Sequence, residues 1–503
     1  FKVTTNAKML LHMWCILLFL GSAPTANSAF VRPHHTRAAS VVSGRSLLKT
    51  IHQYAVSRDS SPTDGRTTAI TPTPGRWDAI AVADTPDEAS AEVTPALRQY
   101  QAASWKIASS FEPNPFRPLQ FLTNCHLQTI AGVYLRRNPG CDYVGDDGVA
   151  KIIDAAASAI SQEKAGGEGQ DFGFWDERER IDTMDGDFFH ADTKYHGNKI
   201  GSRRSDSAQG MVIIIHGLQS SSNSSLCIDM AESFLDRGLD VTCLNFRGCC
   251  GNPNITPGAY HLGFTDDLRL YLDMATSRWQ EEGEMDHPLY LSGFSLGANV
   301  VLKSLGEMGE EAITKYGIRG AAVAAAPFDN ERNQLCVEAP GFNRMVYSAN
   351  LLTSLKKNLQ MKVEECEIVE KDTDLFDYER CMSASTIAEF ETELISPLYG
   401  FKDNIDYYRK TSCLYFLDTI AVPALIVNAA DDPFFDRNFF PLEKSCERGG
   451  KAPIKMVRTE YGGHLGYLFH QQSTEEIKEG RKQSWLPVEL SRFIDHVQTK
   501  TKN

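Results

Sequence analysis

The run Met211-Val212-Ile213-Ile214-Ile215 has no polar face. Successive side chains of a strand point to opposite sides, so a sheet with one wet face alternates apolar and polar residues; this run needs cover on both sides. Helices packed above and below a parallel sheet supply that cover. The flanking segments fit the demand. "SSLCIDMAESFLDRG" (224–238) has helical periodicity and stops at Gly238, "LDVTCLNFRG" (239–248) is strand-like, and "DDLRLYLDMATSRW" (266–279) is a helix opening on two acids. "LYLSGF" (289–294), "IRGAAVAAAPFD" (318–329), "VPALIVNAADDP" (422–433) and "PIKMVRTEYGG" (453–463) add strands, and "RERIDTMDGDFFHADTKY" (178–195) predicts a hairpin turning at Asp185-Gly186. The expected architecture is α/β: a mostly parallel sheet flanked by helices. Between Asn330 and about Ile420 the rhythm gives way to helical pattern, charge and aromatics (Tyr347, Phe390, Tyr399, Tyr407), which predicts a helical cap inserted before the strand that ends in Asp431-Asp432.

The strand at 289–294 turns into a helix through Gly293-Phe294-Ser295-Leu296-Gly297. At so sharp a turn the tip residue is exposed on a strained backbone, and side chains two residues to either side would collide. Glycines in those places let Ser295 stand up at the carboxyl end of the sheet. A serine hydroxyl needs a base within hydrogen-bond reach. His464, in the Gly-rich "YGGHLGYL" after the last strand, is the candidate base, and one of two adjacent acids orients it. Asp432 is preferred to Asp431 because it directly precedes Pro433, where the chain turns away from the strand. Two backbone N–H groups must hold a developing oxyanion. Leu296, at a helix start, and Leu218, in the loop "HGLQSSS" (216–222), are the candidates. His216 reads as a residue that holds this loop rather than as a second base, and Asn245 and Arg247 as braces. The spacing His261-x4-Asp266 reads as a loop histidine followed by a helix start capped by Thr265, Asp266 and Asp267. No metal-ligand cluster or cofactor motif is visible.

Composition limits the partners. Residues 1–58 hold seven Lys/Arg and no acid; the remainder has 44 basic against 65 acidic side chains, a net of −21. So acidic a body is a poor match for nucleic-acid phosphates. The twelve cysteines show no CxxC pair, which argues for a reduced compartment rather than a disulfide framework. "MLLHMWCILLFLG" (9–21) is an apolar stretch of signal-peptide length, with small residues at Asn27-Ser28-Ala29 before Phe30, and an Arg/Ser-rich stretch follows. Together, residues 1–58 resemble the bipartite presequences of plastid proteins in algae with secondary plastids; delivery to the secretory or endomembrane system is the alternative. Residues 59–105 read as a solvated linker rich in Pro, Thr, Asp and Ala. The domain expectation is thus presequence 1–58, linker 59–105, first part of the core with an N-terminal extension 106–330, cap 331–420, and second part of the core 421–503.

"LTNCHLQTI" (122–130), "TMDGDFFHAD" (183–192), "HGLQSSSNS" (216–224), "NFRGCCGNPN" (245–254), "YHLGFTDDL" (260–268), "GFSLGANVVLKSLGE" (293–307), "NAADDPFF" (428–435) and "GGHLGYL" (462–468) jointly resemble the α/β-hydrolase superfamily. The branch is that of the embryogenesis-associated proteins of plants, the animal abhydrolase-domain 1 and 3 proteins and their bacterial hydrolase relatives. The resemblance implies the α/β-hydrolase fold and a Ser295–His464–Asp432 triad. The implied activity is hydrolysis of carboxylic esters of fatty acids, medium-chain esters or glycerolipids, or acyl transfer to an alcohol. The implied partner is an acyl ester or lipid, with the cap making transient contact with a membrane surface; no cofactor and no nucleic acid are implied. A non-catalytic binding or regulatory protein on the same fold is the reading from another class. Phe188-Phe189 and the acidic stretch 363–379 depart from the family pattern.

Overall fold

Ten strands are present among the described residues. The computed structural model describes residues 95–118, 123–134, 136, 173–200, 204–251, 253–283, 287–468, 470 and 484–501, all within a unit spanning 79–503. The expected presequence and residues 59–94 of the expected linker lie outside them. Strands β1 (Glu177–Asp182), β2 (Phe188–Lys194), β5 (Met211–Ile215), β6 (Asp240–Asn245), β7 (Leu289–Phe294), β8 (Ile318–Ala324), β9 (Ala424–Ala429) and β10 (Ile454–Thr459) form one sheet, and β3 (Lys199–Ile200) pairs with β4 (Arg204–Ser205) in a small ribbon. The sheet order is β1-β2-β6-β5-β7-β8-β9-β10. The six strands from β6 to β10 in that order are parallel; β2 runs antiparallel to both β1 and β6. Every residue of β5, β6, β7 and β9 is buried, as two-sided cover requires.

Helices α1 (Pro95–Ser109) and α2 (Cys125–Tyr134) precede the sheet. Then α3 (Ser225–Leu235) follows β5, α4 (Asp266–Glu282) follows β6, α5 (Leu296–Met308) follows β7, and the short α6 (Glu311–Thr314) leads into β8. One apolar core, on the face covered by α4 and α5, joins Ile213, Ile215, Leu291, Val301 and Tyr271; the other, on the opposite face, joins Val212, Ile214, Phe234, Phe493 and Ile494. The helix that closes the second face is the C-terminal one, Trp485–Thr501. Residues 95–105, expected in the linker, are helical instead. Pro95 suits a first helical turn, and α1 is docked: Tyr100 Oη donates to Arg319 O at 3.4 Å, Gln101 Nε2 donates to Glu310 at 2.7 Å, and Ile107 and Ala108 are buried.

The cap runs from α7 (Asn330–Val337) through α8 (Ala349–Gln360), α9 (Tyr378–Ser383), α10 (Ile387–Glu393) and α11 (Ile395–Tyr399) to α12 (Asn404–Thr411), before the chain re-enters the sheet at β9. It has its own apolar core, in which Leu352, Leu359, Phe390, Leu398 and Tyr407 meet. Among the described residues no helix is long and apolar enough to cross a membrane. The ten described cysteines are free thiols.

Candidate active site

β5 lies between β6 and β7, so the direction of chain progression reverses there, and the carboxyl ends of the strands on either side open a crevice. Four loops converge on it: 216–219 after β5, the β7–α5 turn, the loop after β9 and the loop after β10. Ser295 sits at the β7–α5 turn with φ 55° and ψ −124°, a region that L residues rarely adopt. The two glycines have different reasons to be there. A Cβ on Gly293 would stand 2.8 Å from Gly297 O, the collision expected across the turn, but a Cβ on Gly297 would stand 2.1 Å from Ile215 O and 2.4 Å from His216 O. The second glycine therefore answers to β5, not to its own turn.

Ser295, His464 and Asp432 are brought together. Ser295 Oγ lies 3.0 Å from His464 Nε2, and His464 Nδ1 lies 2.9 Å from Asp432 Oδ2. With Nδ1–H donating to the carboxylate, Nε2 is left to accept from the serine hydroxyl, the arrangement of a base poised to take that proton. The turn that Pro433 begins fixes the other oxygen of Asp432, because Phe434 N–H donates to Oδ1 at 2.8 Å. Phe434 stacks on the imidazole at 4.1 Å between centroids, with Phe435 edge-on at 5.5 Å. Asp431 points elsewhere: its Oδ1 accepts from Gly463 N–H at 2.9 Å.

The loop after β5 lies against the serine, since a Cβ on Gly217 would be 3.3 Å from Ser295 Cβ. Among the described residues neither Leu218 N–H nor Leu296 N–H has a protein acceptor, so both are free for a ligand. Gln219, at φ 54°, is held in this loop by Tyr260 Oη, which accepts from its backbone N–H at 2.9 Å, and by Asn358 of cap helix α8, which donates to its side-chain oxygen at 3.0 Å. His216 is structural. Fully buried, it accepts from Phe246 N–H on Nε2 (3.1 Å) and meets Gly217 O through Nδ1 (2.8 Å). Burial drives its pKa down to about 4, against the Gly217 contact, so it stays neutral.

Asn245 and Arg247 brace the surrounding loops. Asn245 accepts from Ser222 N–H at 2.9 Å and donates to Asp192 at 2.9 Å. Arg247 forks onto Asp267 (3.0 and 2.7 Å) and also meets Asp185 and Asp187, tying the β1–β2 turn to the start of α4. Burial alone would lower the Arg247 pKa, but these carboxylates outweigh it and raise it. His261 is buried in an aromatic box of Phe264, Tyr399, Phe401 and Tyr407, and burial, then Lys303, lowers its pKa to about 3. It does not join Ser295 in a catalytic group. The helix after it starts at Asp266 as expected, yet Thr265 makes no capping bond: its hydroxyl donates to Glu307 at 2.8 Å, because α5 packs alongside. Among the described residues no group of three or more His, Cys, Asp or Glu is placed to hold a metal ion.

Residues 210–471 match the family described as the alpha/beta hydrolase fold. The chain is 29% identical over 379 residues to the putative esterase YheT of Escherichia coli, an alignment covering 75% of this chain and 94% of that protein. It is 28% identical over 276 residues to medium-chain fatty acid ethyl ester synthase/esterase 2 of Saccharomyces cerevisiae, covering 51% of this chain and 58% of that one. It is 26% identical over 302 residues to the monoacylglycerol lipase of the same yeast, covering 58% and 60%. The alignments thus span less than two thirds of the two yeast proteins.

Proposed function

The chain belongs to the α/β-hydrolase fold family, and from that premise we propose that it cleaves carboxylic esters of fatty acids through an acyl-enzyme on Ser295. The observation that carries the proposal is the unbroken chain of hydrogen bonds from Ser295 through His464 to Asp432, at 3.0 and 2.9 Å, on a serine held in a strained turn. His464 Nε2 takes the hydroxyl proton as Oγ bonds to the ester carbonyl carbon. The carbonyl oxygen gains negative charge, held by the N–H groups of Leu218 and Leu296. When the tetrahedral adduct collapses, the bond to the alcohol oxygen breaks and His464 returns the proton to that oxygen. Water then attacks the acyl-serine with His464 again as base, and as this second adduct collapses the acyl–Oγ bond breaks, His464 returns the proton to Ser295 Oγ, and the fatty acid leaves. An alcohol in place of water would give a new ester, a second outcome that the yeast ester synthase/esterase makes worth measuring.

The acyl chain lies between the sheet end and the cap, where Tyr347 and Phe434 meet at 4.9 Å. Medium-chain esters and glycerolipids are the substrate class, in keeping with what the yeast relatives are named for. The exposed side chains of Leu335 and Met345 on the cap would meet a lipid surface, and residues 1–58 would direct the protein to a plastid or to the endomembrane system.

A fluorophosphonate probe on wild type and on Ser295→Ala tests the reading. Wild type should label and hydrolyse p-nitrophenyl esters of medium chain length; the variant should fold, fail to label and lose about 10⁴-fold or more in turnover. Equal turnover by the two proteins would dismiss Ser295 as nucleophile. A folded wild type that neither labels nor turns over would favour a binding protein on a hydrolase fold.

A further inference from the structure

The loop that carries His464 has only a small hold on itself, Gly466 N–H and Tyr467 N–H both donating to Gly462 O at 3.0 and 3.2 Å. Within 462–467, Gly462 (φ 151°), Gly463 (55°), Leu465 (64°) and Tyr467 (49°) all have positive φ, and two of them are not glycine. A backbone so far from its own preferences persists only where its surroundings over-determine it. Asp431 takes Gly463 N–H and Thr459 meets Tyr461 O and Tyr467 Oη, but the larger share of the surroundings is α2, more than 300 residues away in sequence and outside the 210–471 family match.

Three side chains on α2, or just beyond it, grip the loop backbone. Thr129 Oγ1 accepts from His464 N–H at 2.9 Å while donating its own proton to Cys125 O at 2.8 Å, so the roles are fixed: the hydroxyl proton is committed to the helix and a lone pair faces the histidine. Gln128 binds both polar groups of one peptide position, accepting from Leu468 N–H at 3.0 Å and donating to Leu468 O at 3.1 Å. Arg136 donates to Leu465 O and Gly466 O and also reaches Ser484 Oγ at 2.6 Å. Helix and loop lie backbone to backbone. A Cβ on Gly463 would stand 2.4 Å from Cys125 O, one on Gly466 2.4 Å from Gln128 O, and one on Gly132 3.1 Å from Gly466 Cα. The same helix reaches the cap, where His126 Nδ1 lies 3.0 Å from Tyr347 Oη.

We infer that α2 is the positioning element of the general base, with Thr129, Gln128 and Arg136 setting the backbone of 462–468 so that the His464 ring meets Ser295. The inference rests on the hydrolase reading above. Asp432 and Phe434 orient the imidazole about its own bonds, but they act on the ring; Thr129 acts on the peptide from which the ring hangs. A displacement of about 1 Å in a reacting group can cost on the order of 100-fold in rate, so a loosened peptide should show in turnover before it shows in binding. The "NCHLQT" stretch (124–129), well upstream of every proposed reacting group, thereby acquires a function in the reaction.

Thr129→Val removes the acceptor at nearly constant volume, and Thr129→Ser keeps it. On a p-nitrophenyl ester, Thr129→Val should lower kcat by about 10- to 100-fold with KM within about twofold of wild type. Fluorophosphonate labelling should slow in proportion, and Thr129→Ser should recover most of the rate. If Thr129→Val does not fold, Gln128→Met carries the same expectation of lower kcat at unchanged KM. Wild-type kcat in a folded Thr129→Val or Gln128→Met protein overturns the inference, as does a loss shared equally by the Ser and Val variants. Wild type and Ser295→Ala are assayed alongside. If wild-type turnover does not depend on Ser295, the hydrolase reading has failed and this inference falls with it. If it does depend on Ser295 and the folded Thr129→Val and Gln128→Met proteins match wild type, this inference fails alone.

Discussion

Asp431 and Asp432 are neighbours in sequence with opposite surroundings. Asp432 has both oxygens engaged, by His464 and by Phe434 N–H, whereas Asp431 has one oxygen on Gly463 N–H and the other buried without a partner. Burial, opposed by the Gly463 bond and reinforced by the charge of Asp432, pushes the Asp431 carboxyl up to about 6. Its folded pKa lies above its unfolded one. Its contribution to stability is therefore fully present below about pH 4, where both states bind the proton, and is lost as pH rises through about 6. Asp431→Asn keeps an acceptor for Gly463 and deletes the charge, so it should melt above wild type at pH 8, by the equivalent of up to about 3 kcal/mol. Thermal melts at pH 4 should show little difference; a gap that does not change with pH would contradict the argument. Asp432→Asn should instead lose about 10⁴-fold in kcat, because the imidazole loses the partner that holds its tautomer. In sequence, Pro433 separates the two acids, since it marks where the chain turns. The N–H of Phe434 and the unpartnered oxygen of Asp431 are products of that turn and leave no trace in residue type.

Elements were legible to the extent that their burial was simple. Strand β5 is covered on both faces and announces it as an unbroken apolar run, β9 does so over Ala424–Val427, and the β1–β2 hairpin turns at Asp185-Gly186 as expected, with Gly186 at φ 81°. Helix α1 leaves little signal in the sequence, because its first turns follow a Pro- and Thr-rich stretch and its docking partners, Arg319 and Glu310, lie over 200 residues away. The sequence places Gly297 by the demands of its own turn, whereas the obstacle is a carbonyl of another strand. Gly297→Ala should accordingly be severe. The added methyl would overlap Ile215 O, so either β5 or α5 must move, at a cost of about 3 kcal/mol or more, read by urea denaturation. Arg247 tests a different element junction. Arg247→Met leaves Asp267, Asp185 and Asp187 without their shared cation, and loss of about 3–5 kcal/mol is expected in the same assay.

At the scale of the whole molecule, the cap has a core of its own, while the sheet is sandwiched between two others. Units with separate cores open separately. Native-state hydrogen exchange should show amides of α8, α10 and α12 exchanging through an opening of lower free energy than those of β5, β7 and β8. Identical protection throughout would mean that cap and sheet unfold as one. The cap does not merely rest on the sheet, however. Asn343 donates to Pro433 O at 2.6 Å beside the candidate acid, and Asn358 donates to the side chain of Gln219 beside the candidate oxyanion loop. The door and the lock therefore share a bolt. On the proposed ester hydrolysis, a guest bulky enough to keep the door ajar would also draw back the bolt on Gln219, next to Leu218, and would forfeit some of the grip on the very charge its turnover creates. Size selection then needs no wall to exclude long chains. Beyond the length that fits under a closed cap, each added methylene would still deepen binding while slowing conversion, and the preferred ester would be the longest one that lets the door shut.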